Sequence, residues 1–243
     1  LNPTYRWAKT KNHDKISNTK FSHNKFDKIA NMKSLNLAQP VVMIVVGLPG
    51  SGKSFFAKKF SGTFGAPVVS VDRIRYELFG QSSFSSDEQD LVERLTNYQI
   101  EELLKSSRSF IIDGGFEPKV ARQKLGTLAK KAGYDVLIIW VQTHETIAQK
   151  RSLKRNPKKE DDKHNNSLTS EQFKTLSKRF TPPATEHNVV ISGMHTYSTQ
   201  AKAVLRKLVA KREAQAEAAH KSELQTVQHQ PRPESPRRSV IIR

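Results

Sequence analysis

Beyond Pro40 the chain alternates between short apolar runs and longer, helix-like stretches. Runs of strand length rich in Val and Ile, separated by helical segments, are how a parallel sheet buried on both faces by helices looks in sequence. Five strands are predicted, at Val41–Val46, Pro67–Val71, Phe110–Asp113, Val136–Val141 and Val189–Ile191. Helices are predicted at Lys53–Phe60, Asp72–Phe79, Asp87–Lys105, Pro118–Ala132, His144–Arg155, Ser170–Arg179 and Thr199–Ala219. Gly133 stops one of these helices and the strand at Val136 follows at once, a βαβ return. Leu1–Gln39 is polar and has neither periodicity, so it reads as a basic, disordered extension. Gln228–Arg243 carries three prolines among Arg and Ser without an apolar face. The organisation expected is therefore an extension at 1–39, one domain at 40–219 and a disordered basic tail at 220–243. Met32 is read as the natural start, because the globular pattern begins a few residues after it.

Composition narrows the picture. The 243 residues, 36% hydrophobic, suffice for one α/β core of ordinary size. With no cysteine, disulfides, thiolate metal sites and cysteine nucleophiles are excluded. No apolar run approaches the roughly 20 residues that span a bilayer, and the first forty lack the apolar core of a secretory signal. A cytoplasmic location is expected. The formal charge of +18 would attract polyanions. Leu1–Pro40 has eight Lys/Arg against two Asp/Glu, and Gln200–Arg243 ten against four, so about two thirds of the excess lies in the terminal segments. These are read as solvated tails, with non-specific polyanion contact as the alternative.

Gly47-Leu48-Pro49-Gly50-Ser51-Gly52-Lys53-Ser54 spells the phosphate-loop pattern of two glycines four apart followed by Lys and Ser. Chance alone would produce this spelling in roughly one random chain of this length per hundred. The context decides, because the motif joins a predicted strand to a predicted helix. The glycines let backbone N–H groups turn around phosphate oxygens, and the following helix presents its positive end. Lys53 would reach the β- and γ-phosphates of ATP, and the Ser54 hydroxyl would bind Mg²⁺.

Phosphoryl transfer also needs an in-line acceptor, a group to take its proton, and positive charge over the moving oxygens. Val69–Arg75 delivers Asp72 from a strand end, where open α/β sheets bind ligands, and Arg75 one turn later. Asp72 is equally suited to cap that helix. Ser109–Asp113 is an apolar run ending in a carboxylate, as expected of an acid that orients hydrated Mg²⁺, and Gly114-Gly115 after it would let backbone approach a ligand or simply end the strand. In Lys150–Arg155, Arg151 and Arg155 fall four apart on one predicted helical face, where they can close over phosphates or merely complement a helix C-terminus.

Together these segments resemble the P-loop kinases of the polynucleotide-kinase and zeta-toxin-like group, over about Val41–Ala210, with Arg179-Phe180-Thr181-Pro182-Pro183 similar to a late Arg-Phe-x-x-Pro element of many members. The resemblance implies a P-loop NTPase fold: a three-layer αβα arrangement, a five-stranded parallel sheet in order 2-3-1-4-5, and a helical lid. It implies that Asp72 activates the acceptor hydroxyl, that Arg155 with Arg151 beside it covers the phosphates, and that Arg75 binds a substrate phosphate or the acceptor. Arg122 matches a recurrent arginine and is grouped with Arg75 and Asp113 on the acceptor side. Phe55 stands where threonine is commoner and extends the nucleotide-binding stretch. The expected activity is transfer of the γ-phosphoryl group of ATP to a hydroxyl of a polynucleotide 5′-end, a nucleotide or a small metabolite. Two alternatives are a P-loop ATPase or ATP-dependent nucleic-acid-binding module, and a toxin-like sugar-nucleotide kinase.

Overall fold

The structure, a computed structural model, describes residues 39–210 except 81, 157, 160, 161, 166 and 185. The expectations for the terminal segments, Met32 included, lie outside the described residues. Five parallel strands run in the spatial order β2-β3-β1-β4-β5: β1 Val41–Val46, β2 Val68–Ser70, β3 Phe110–Asp113, β4 Asp135–Gln142 and β5 Asn188–Ser192. This is the predicted order. Between them lie α1 Lys53–Phe64, α2 Val71–Phe79, α3 Ser86–Lys105, α4 Lys119–Lys131, α5 Glu145–Leu153 and α6 Ser170–Arg179, and residues 197–210 form α7.

Period-two geometry divides β1 between the two faces of the sheet. Val41, Met43 and Val45 pack with Phe56, Phe60 and Phe64 of α1 and with Val204 and Leu208 of α7. Val42, Ile44 and Val46 face the other way, onto Ile74 of α2, Val92 and Ile100 of α3 and Leu125 of α4. With both faces covered, every β1 residue is buried, which is why the strand reads as an unbroken apolar run. Along α1 the rings of Phe56, Phe60 and Phe64 stack at centroid distances of 5.3 and 4.5 Å. Four-residue spacing puts all three on one helical face, and Gly65, left-handed, ends the helix.

Several boundaries differ from expectation by a few residues, and two of the differences have identifiable reasons. Val71, predicted as the end of β2, already belongs to α2, because the Ser70 hydroxyl caps that helix by accepting from the Arg73 N–H. Asp72 is thus not the cap but a first-turn residue. The helix predicted to run to Arg155 stops at Leu153, with Lys154 as its cap, and the Leu168 N–H donates to the Ser152 carbonyl, so a returning segment takes over that end of the helix. Among the described residues no helix is long and apolar enough to cross a membrane.

Candidate active site

The turn after β1 is built from glycines for two different reasons. Gly47, Gly50 and Gly52 have φ of 149°, 76° and 105°, where side-chained residues are strained. Gly47 and Gly50 also lack room, since a Cβ would strike the carbonyls of Val141 and Ala148 respectively. The Ser51 N–H donates to the Leu48 carbonyl at 3.1 Å and closes the loop. α1 then starts from Gly52 with no capping side chain and no acidic residue in its first turn. Its leading N–H groups are left to an anion, with the helix dipole behind them. Lys53 curls over the loop, its ammonium donating to the carbonyls of Gly47 at 2.8 Å and Leu48 at 3.1 Å, which holds the positive charge at the loop's mouth.

The loop is braced from the far strands. Thr143, just past β4, donates its hydroxyl to the Ser51 carbonyl at 2.9 Å. Gly193, just past β5, lies so close to that same carbonyl that any Cβ would collide with it.

On the β2 and β3 side, parallel pairing sets Ser70 level with Asp113. Asp113 is 5% exposed; its Oδ2 accepts from the Ser70 hydroxyl at 3.4 Å, and its Oδ1 is buried without a partner. Burial pushes its pKa up to about 6, the Ser54 hydroxyl and Lys53 working against the shift, the negative charges of Asp72 and Glu117 with it. A buried carboxylate carrying an unsatisfied oxygen beside the Ser54 hydroxyl is an oxygen donor set suited to a hard cation such as Mg²⁺. Among the described residues no cluster of three His, Cys, Asp or Glu could hold a metal unaided. Any ion here would draw further ligands from phosphate oxygens and water, as Mg²⁺ does.

A cleft of about 690 Å³ is lined by Gly50, Gly52, Lys53, Ser54 and Phe55 of the loop and helix, by Asp72, and by Lys150, Arg151, Lys154 and Arg155 from across the gap; Asp113 is not among its lining residues. Arg151 and Arg155 do meet at the cleft, but not as successive turns of one helix, because Arg155 lies past the end of α5. The segment after it is closed by the Ser167 hydroxyl donating to the Arg155 carbonyl at 2.8 Å and by the Thr169–Gln172 capping box of α6. Arg151 donates to the Gly193 carbonyl at 3.3 Å and to Met194 Sδ at 3.1 Å, tying α5 to the turn after β5.

Arg122 is a correction. It is 2% exposed, and its guanidinium donates to both carboxylate oxygens of Glu186 and to the carbonyls of Phe116, Glu117 and Thr181, at 2.6 to 3.3 Å. That commitment leaves no donor for a substrate; the residue cross-braces the loop after β3 to the chain entering β5. Arg75 is not among the residues lining the cleft; its guanidinium carbon lies 5.1 Å from the centroid of the Phe84 ring, and its Nη1 is buried without a partner. Phe84, at φ 57°, is held by a loop wrapped round the Glu88 carboxylate, whose pKa the Ser82 hydroxyl above all lowers to about 2.

Sequence reasoning missed Ile147, Asp162, Asn165, Gly193 and Gln200, which also line the cleft. Gly193 carried a signal, a glycine directly after an apolar strand, like Gly47. The others come from helices and loops whose approach depends on the lid's return path.

The sequence matches the family described as AAA domain over residues 42–183. No curated protein matches it. Among solved structures it is similar to a gluconokinase from Sinorhizobium meliloti 1021, with TM-score 0.51 and 16% identity over 75% of this chain and 98% of that one. An APS kinase from Mycobacterium tuberculosis, in complex with AMPPNP and APS, gives 0.51 and 18% over 70% and 98%. A sugar kinase from Janibacter sp. HTCC2649 gives 0.51 and 14% over 70% and 94%. At these identities the likeness is one of fold, and it agrees with the strand order and the phosphate loop described above.

Proposed function

The chain belongs to the AAA domain family, and from that premise we propose that it is an ATP-dependent kinase transferring the γ-phosphoryl group to a hydroxyl acceptor, with its catalytic domain at 40–219. The observation that carries this reading is the meeting, in one cleft, of a complete phosphate loop with Asp72 from the neighbouring side of the sheet and two arginines from the opposite wall.

Strand order supports a division of the cleft between the two substrates. β1 is central, with β3 and β2 on one side and β4 and β5 on the other. Asp113 and Asp72 end β3 and follow β2, so the acceptor enters on that side. The nucleoside of ATP then lies on the β4 and β5 side, near Phe55, Ile147, Arg151 and Gly193. Loop N–H groups and Lys53 hold the β- and γ-phosphates. Asp72, exposed on the acceptor side, accepts the proton as the acceptor oxygen bonds to γ-phosphorus and the bond to the bridging oxygen breaks, releasing ADP. Arg151 and Arg155 stabilise the negative charge on the transferring group. Ser54 and Asp113 would hold Mg²⁺, which when bound neutralises charge on the β- and γ-phosphates.

Asp72→Asn tests the assignment. MgATP affinity by calorimetry should be unchanged, while phosphate transfer from labelled ATP, screened over 5′-hydroxyl oligonucleotides, nucleosides and sugar derivatives, should fall by at least about a hundredfold. A variant that consumes ATP as fast as the parent, with no phosphorylated product from either, would instead mark an ATPase.

A further inference from the structure

On the β5 side the wall of the cleft ends in Gln200, in the first turn of α7, which lines the cleft yet is only 3% exposed. Its Nε2 donates to the Ser192 carbonyl at 2.8 Å. A carbonyl can only accept, so this bond fixes which end of the amide is nitrogen and which is oxygen. Oε1 is left buried with no partner.

The turn around it has little else to offer. The Gly193 N–H donates to the Gln142 carbonyl, the Met194 N–H to the Ser192 hydroxyl and the His195 N–H to the Ser192 carbonyl. The Gly193 carbonyl accepts from Arg151. Gln200 Oε1 is therefore an acceptor without a donor, beside a turn whose N–H groups at Gly193, Met194 and His195 are already paired and which is gripped by Gln200 on one side and Arg151 on the other. An unpaired buried carbonyl is costly to keep and is satisfied by whatever supplies a hydrogen.

We propose that Gln200 selects the base of the nucleotide: its Oε1 accepts from the exocyclic amino group of adenine and disfavours guanine, which presents a carbonyl oxygen at that position. The inference rests on the proposed nucleotide site and on the base lying towards β5. Discrimination of this kind is strong where a buried polar group is left unpaired by the wrong ligand, since the site then loses a hydrogen bond and gains a repulsion.

The test compares Mg²⁺ complexes of ATP, GTP and inorganic tripolyphosphate by calorimetry on the full chain, for the parent and for Gln200→Met, which keeps the length of the side chain and removes its acceptor. The parent should bind ATP at least about tenfold more tightly than GTP. In Gln200→Met the ATP affinity should fall about tenfold, GTP affinity should hold or rise as the repulsion is lifted, and tripolyphosphate should be unaffected. Because the substitution also removes the Nε2 bond to Ser192, Gln200→Glu is a second arm. It keeps acceptor oxygens but loses the donor, and should retain the preference for ATP over GTP. Equal affinity of the parent for ATP and GTP would overturn the inference, as would a Met variant weakened equally towards all three ligands, the mark of a turn that has merely collapsed. Tripolyphosphate binding with no preference between bases would leave the phosphate site standing and remove Gln200 from base selection. No binding of any of the three would overturn the nucleotide site itself, and the inference with it.

Discussion

Asp113→Asn should make the protein more stable and less able to use magnesium. The carboxyl is buried, and its pKa is raised from 3.8 to about 6, burial being the largest cause. A tenfold change in proton affinity corresponds to about 1.4 kcal/mol, so ionised Asp113 costs the fold at most about 3 kcal/mol. The sign follows from proton counting. Between pH 3.8 and about 6 the folded state binds more protons at this site than the unfolded one, so the stability contributed by the neutral acid is complete below the lower value and lost as pH rises through the upper. Asn cannot ionise and carries no such penalty. With some relaxation of the site, the variant should gain roughly 1–3 kcal/mol at pH 7.5, or roughly 2–12 °C in melting temperature for a domain of this size. At pH 4.5 the difference should lie only about 1 kcal/mol from its low-pH limit, rather than the full amount of about 3 kcal/mol, because the folded carboxyl is protonated there while the unfolded one is still mostly ionised. Thermal melts of both proteins from pH 4.5 to 7.5, in nucleotide-free buffer containing chelator, measure the difference directly, since other titrating groups are common to both. Adding MgATP should then raise the melting temperature of the parent more than that of the variant. A variant no more stable than its parent at pH 7.5, or an advantage as large at pH 4.5 as at pH 7.5, would refute the reasoning.

Two further substitutions test the frame around the cleft. Arg122→Met leaves the Glu186 carboxylate, whose side chain is 15% exposed, without its partner, and should cost roughly 3–5 kcal/mol in denaturant unfolding; Arg122→Met paired with Glu186→Gln should recover part of that loss. Gly50→Ala forces a Cβ against the Ala148 carbonyl at a φ of 76°, so it should lose MgATP binding by calorimetry while its circular dichroism spectrum stays that of the parent.

Much of this molecule follows from local rules. The alternation of β1 between two apolar faces, the phenylalanines spaced four apart on α1 and the glycines of the phosphate loop each depend on neighbours within a few residues, and they can be read in order along the chain. Asp113 at the end of an apolar run and Asp72 after a short one were legible because parallel strands align their carboxyl ends. Helix termini were less so: Ser70 and Asp72 are both good capping residues, and only the backbone path shows that Ser70 caps α2.

What the tertiary structure alone decided is which polar groups are engaged within the fold and which face the cleft. Arg122 and Glu186 stand 64 residues apart, and nothing in the spacing says that they neutralise each other in the core. Arg155 reaches the cleft from a loop rather than a helix, because the returning chain at Leu168 takes the Ser152 carbonyl. Gln200 has one amide end occupied and the other empty only because α7 brings it beneath the turn after β5. Residue types set what each side chain can donate or accept. Partnership across the chain determines how much of that capacity is left for a ligand, since a hydrogen bond already made within the fold cannot be offered again.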